Sequence, residues 1–197
     1  MEELSAFDIL VENLIDLGYK PETNTSNRNF ITSGNDRFLN SKYVLCLLSD
    51  NIFFLASDSF GTKAHSSSTF TGLYSAVNLR REIEYRVVKK DWIDFFYLKK
   101  KRSDIGYIDK NLTILSSFWI PSKELSRQNV ELFLDLNHRD GPYSLIVKND
   151  YLPQIQMLKG KKILGIETNR WIYEKDHLVK LIGIGQKLVA GIKNTCD

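Results

Sequence analysis

The stretch FGTKAHSSSTF offers the best spacing in the chain for a nucleophile and its base. In an extended segment His65 and Ser67 project from the same side, so an imidazole could take the proton of a serine hydroxyl. Asp58 stands upstream, where a carboxylate could orient the ring. The loop at 58–69 is therefore the hydrolase reading of this sequence. It lacks a GxSxG elbow and a glycine pair for an oxyanion hole, and three successive serines dilute the choice of nucleophile. A non-enzymatic module is the leading expectation, with the His/Ser loop as its alternative.

The second pattern is electrostatic. Residues 80–102 hold nine basic and four acidic side chains, a local +5 in a chain whose formal charge is +3. The remainder is thus slightly acidic. Tyr85, Trp92, Phe95, Phe96 and Tyr97 are interleaved with these charges, a mixture suited to phosphate contact and stacking. Lys89, Lys90, Trp92, Lys99, Lys100, Lys101 and Arg102 are the candidate binding residues. The partner class is an acidic protein or another anion, such as a phosphorylated ligand or an anionic membrane surface. Geometry decides whether the charges act together. With 91–98 as a strand, Lys90 and Lys99 lie about 30 Å apart, far beyond the ~8 Å screening length. As a helix the same residues lie about 14 Å apart. Charges bracketing an apolar strand also guard against edge pairing, and a whole-chain charge of +3 is too small to argue for nucleic acid.

Other chemistries lack their residues. There is no GxxxxGK[ST], and GIGQKLVAG has Leu188 where a dinucleotide fingerprint needs its third glycine. His65, His138 and His177 are scattered without metal-ligand spacing. Neither a metal nor a cofactor is expected. Glu82 and Glu84 alternate with Arg86 and read as a surface salt-bridge ladder. Glu167 and Glu174 flank a hairpin, and nothing in the sequence marks either as buried.

The elements that must position these groups follow from periodicity. Ser5 caps a helix over 5–17, with Asp8 completing a capping box and Gly18 ending it. Residues 20–29, KPETNTSNRN, read as a polar connection. KYVLCLLSD and NIFFLAS form a hairpin across 49–51, and FTGLYSAVNL, EIEYRVV, NLTILSS and YSLIVK are further strands. In NVELFLDLN the leucines alternate with polar residues, which predicts a strand over 129–137. YLPQIQMLKG predicts a short helix near 151–159, and KILGIET pairs with RWIYE across Asn169. The final helix covers 175–192, with Gly185 inside its apolar face and so expected against a neighbouring backbone.

The fold class is α+β, a mostly antiparallel sheet with helices at the N-terminus, near 151–159 and at the C-terminus. With 43% hydrophobic residues over 197 positions the chain can bury a full core, which excludes disorder. Two cysteines exclude a disulfide scaffold, and Cys46, in YVLCLL, reads as a buried thiol. One globular domain over 1–197 is expected; two lobes would meet near 99–111. Glu2 and Glu3 oppose a secretory signal, and no window has the apolar length of a membrane helix, so the expected location is cytoplasmic.

Overall fold

The computed structural model describes residues 5–32, 35–49, 51–61, 67–80, 82–91, 100–116, 125–138, 141–149 and 151–196. Helix α1 (Ala6–Asp16) starts as its sequence requires. The Asp8 N–H donates to Ser5 Oγ at 3.3 Å and the Ser5 N–H to the Asp8 carboxylate at 3.3 Å, while Gly18 leaves the helix at φ +86°.

Nine strands follow among the described residues: β1 (Glu22–Thr32), β2 (Asn35–Ser49), β3 (Ile52–Gly61), β4 (Ser68–Ala76), β5 (Tyr85–Lys89), β6 (Lys100–Lys101), β7 (Leu112–Ser116), β8 (Ser144–Asn149) and β9 (Lys162–Thr168). They form one sheet in the order β1-β2-β3-β4-β9-β8-β5-β7-β6, with every neighbouring pair antiparallel. Helices α2 (Gly106–Asn111), α3 (Arg127–Leu136) and α4 (Lys175–Cys196) complete an α+β fold. The helix expected near 151–159 is a 3-10 turn, Gln156–Leu158, followed by Gly160 at φ +73°. Among the described residues no helix is long and apolar enough to cross a membrane.

Strand alternation divides the core in two. Ile52, Phe54 and Ala56 of β3, with Leu73, Leu145, Val147, Leu164 and Ile166, face α1, α3 and α4. Their neighbours Phe53, Leu55, Tyr74, Ile146 and Ile163 face the other way, onto Leu152, Ile155 and Leu158 of the segment 151–161. Because the central strands are covered on both sides, IFFLAS is an unbroken buried run. The hairpin of β2 and β3 and the phase of β5, with Ile83, Tyr85 and Val87 buried, agree with the sequence.

Four expectations are corrected. Residues 22–32 are an edge strand, not a connection: β1 pairs along its whole length with β2, and polar side chains suit an edge left to solvent. Residues 129–136 are helical. Phe133 breaks the apparent alternation, and Val130, Phe133 and Leu136 at spacing three form the buried face, with Ser126 Oγ accepting the Asn129 N–H at 3.3 Å. Among the described residues the segment RWIYE pairs with no strand. Its backbone answers α1 and β4 instead: Tyr173 O accepts from Asn13 Nδ2 at 2.8 Å, and the Ile172 N–H donates to Thr71 Oγ1 at 3.1 Å. Gly185 faces a side chain, Leu73, where a backbone was expected.

Candidate functional site

Register answers the question the basic segment poses. Lys89 lies opposite Leu112 on β7, and Lys101 lies opposite Ile114 on the other edge of the same strand. The chain therefore leaves β5 at Lys89 and returns on the far side of β7. Two strand spacings and two residues of rise put the Lys89 and Lys101 Cα atoms about 12 Å apart. Trp92 and Lys99 lie outside the described residues, as does the rest of 92–98.

Lys89, Lys90 and Arg102 are exposed, and Lys110 of α2 is exposed beside them. With Lys100 and Lys101, and against Asp91, Asp104 and Asp109, the described residues at this end of the sheet carry an excess of three positive charges. The turn that presents Arg102 is pinned. Asp109 Oδ1 accepts from the Ser103 N–H at 2.9 Å and from Ser103 Oγ at 2.8 Å, and Lys90 Nζ donates to Asp109 O at 2.6 Å. Burial pushes the Asp109 pKa up, but the Ser103 and Asp104 hydrogen bonds and the Arg102 charge outweigh it and hold the carboxyl below its usual range.

The loop of the hydrolase alternative is described only at its ends. His65 lies outside them, and Ser67 is exposed. Asp58 accepts a hydrogen bond from Thr69 Oγ1 and pairs with Lys42 Nζ at 4.0 Å, so it ties β3 to β4 and β2. Lys42 in turn sits over the rings of Phe7 and Trp171, 5.9 and 5.4 Å from their centroids. His138 is exposed, and His177 Nδ1 lies 2.7 Å from Glu174 Oε2 at the start of α4. Among the described residues no group of three or more His, Cys, Asp and Glu side chains could hold a metal ion. Cys46 is buried, and burial pushes its thiol pKa up. The expected ladder of Glu82, Glu84 and Arg86 is replaced by separate links. Arg86 donates from Nε and Nη2 to Ser144 Oγ at 3.0 and 2.8 Å, while Glu84 accepts from Asn149 N and Nδ2.

Sequence reasoning missed the sheet face under 151–161. There Tyr74 lies flat across its cross-strand partner Gly165, where a Cβ would come within 2.7 Å of the ring. Its hydroxyl reaches past Gly72 and donates to Glu167 Oε2 at 3.2 Å; Tyr151 donates to the same oxygen at 3.5 Å. Burial raises both phenol pKa values, and the Glu167 charge adds to it, so both remain donors. A cavity of about 250 Å³ opens beside them, lined by residues 68–70, 151–154, Glu167 and Asn169. The glycines were its legible signal, since a glycine inside a strand marks the close approach of another group. No family model, no curated protein and no solved structure matches this chain.

Proposed function

We propose that this chain is a non-enzymatic binding module that engages an anionic partner, an acidic or phosphorylated surface, through the basic end of its sheet. The supporting observation is the register across β7, which brings the pair Lys89–Lys90 within about 12 Å of the pair Lys101–Arg102. At that separation flexible lysine and arginine side chains can meet neighbouring charges of one polyanion. Screening over ~8 Å weakens long-range attraction, so the pairs cooperate through a shared ligand and not through space. A cytoplasmic setting belongs to the same proposal.

Retention on a heparin column across a salt series tests it. Wild type should elute later than either charge-reversed double variant, K89E/K90E or K101E/R102E. Its affinity should fall steeply with salt, since each neutralised anionic group releases a counterion. Because the two pairs address one ligand, reversing either should remove most of the retention. Equal retention of all three proteins would remove the reading. The thermal melt of K101E/R102E should stay nearly unchanged, while K89E/K90E, which also loses the Lys90 hydrogen bond to Asp109 O, should melt slightly lower.

A further inference from the structure

Glu167 is half-buried on the sheet face opposite the helices. Its hydrogen bonds, from Tyr74 and Tyr151, both fall on Oε2. Oε1 has no donor, and the side chain has no cationic partner, among the described residues. A charge held in this way, partly out of water and without a counter-ion, leaves its attraction for a cation unspent. Among the described residues Glu167 is also the only charged one lining the 250 Å³ cavity.

The walls suit the same charge. Phe70 and Tyr151 line the cavity. Tyr74 packs edge-on to both, with centroids 6.5 Å from Phe70 and 6.3 Å from Tyr151. Ring faces attract cations within about 6 Å, and Tyr151 already does so, for Lys148 Nζ lies 5.2 Å from its centroid. The volume is that of roughly eight waters at ~30 Å³ each, enough for a short amine and too small for a drug-sized ligand.

We propose that this cavity binds an alkylammonium group, with Glu167 Oε1 as its counter-ion and the rings of Phe70 and Tyr151 as its flanks. The two phenols hold the carboxylate in place by one oxygen and leave the other to the ligand. The site is separate from the basic end of the sheet and takes the opposite charge.

The probe is n-butylammonium, titrated into the whole chain and followed by NMR shifts and by tyrosine fluorescence, with n-butanol as the uncharged control. Wild type should bind the amine saturably and the alcohol at least tenfold more weakly. Glu167→Gln keeps the acceptor for the tyrosines and should weaken amine binding at least tenfold. Phe70→Leu should weaken it several-fold. Tyr151→Phe keeps the flanking ring but removes one of the two hydrogen bonds that hold the carboxylate, so it should weaken amine binding by less than Glu167→Gln does. Weak n-butanol binding that stays as in wild type shows that the variants remain folded. Equal binding of alcohol and amine, full binding by Glu167→Gln, or no saturation by wild type would overturn the proposal.

Discussion

Substituting alanine for Gly185 probes the join between α4 and the sheet. A Cβ at this position would lie 2.5 Å from Leu73 Cδ1, about 0.9 Å inside the 3.4 Å at which ordinary contact begins. Leu73 is fully buried, at 0% exposure, so the methyl can move only by displacing other core atoms. Overpacking of this kind costs about 1–3 kcal/mol. Alanine recovers about 1 kcal/mol of helix propensity. Gly185→Ala should therefore destabilise by roughly 1 kcal/mol, a fall of some 2–4 °C in Tm. Leu73→Ala alone should cost about 2–5 kcal/mol through the cavity it leaves. In the double variant the new methyl enters that cavity instead of striking it. The pair should be less destabilised than the sum of the singles, by about 1–3 kcal/mol, when urea unfolding is measured for all four proteins. If the effects add within about 0.5 kcal/mol, or Gly185→Ala gains its full helix propensity, Leu73 does not press on the helix and the argument fails.

Two further outcomes follow from named hydrogen bonds. Asn137 closes the turn after α3, donating from Nδ2 to Phe133 O at 2.9 Å and accepting the Tyr143 N–H at 2.8 Å. Asn137→Ala should cost about 1–3 kcal/mol in urea unfolding, because a buried backbone donor is left unsatisfied. Ser103→Ala should cost about 0.5–1 kcal/mol at neutral pH by removing one donor to Asp109. Since the folded-state pKa of Asp109 is depressed, its contribution is complete above the unfolded value near ~3.9 and is lost as pH falls through the folded one. The gap between wild type and Ser103→Ala should therefore close in acid; a constant gap across pH would show that Asp109 is not the acceptor that matters.

Where local signals were strong they were legible. Ser5 with Asp8, the period-two pattern of Ile83, Tyr85 and Val87, and the apolar face of α4 each state their element without tertiary help. Among the residues that the strand and helix phases turn inward, Leu14, Phe54, Leu73, Ile83, Ile114, Ile146, Ile166, Ile182 and Val189 are buried, Phe7, Leu45 and Leu134 are half-buried, and Trp92 lies outside the described residues. The failures share a cause. In β1 a polar segment becomes a strand only because β2 supplies a partner, and no propensity in TNTSNRN announces that. In α3 the leucines fit two periods, and Phe133 decides between them once a helix face is there to bury it. The basic cluster was visible as composition, but its convergence depends on pairing across β7, which sequence spacing alone does not encode. The Glu167 pocket depends on contacts between residues 70, 74, 151 and 167, brought together by the sheet order.

That order also governs the sequence of events during folding. Strands β1 to β4 form a meander of local hairpins, and β5, β7 and β8 pair among themselves, yet the two groups share no ladder until β9 enters between β4 and β8. A chain emerging from the ribosome holds two half-sheets, each with a central strand exposed as an edge, until residues 162–168 follow. Leu73 and Tyr74 on one side and Leu145 and Ile146 on the other wait uncovered through that interval. Such edges invite wrong partners. The closing step joins segments remote in sequence, so it should be slow relative to hairpin formation. Synthesis intermediates that stop short of β9 are then the species most in need of chaperone protection.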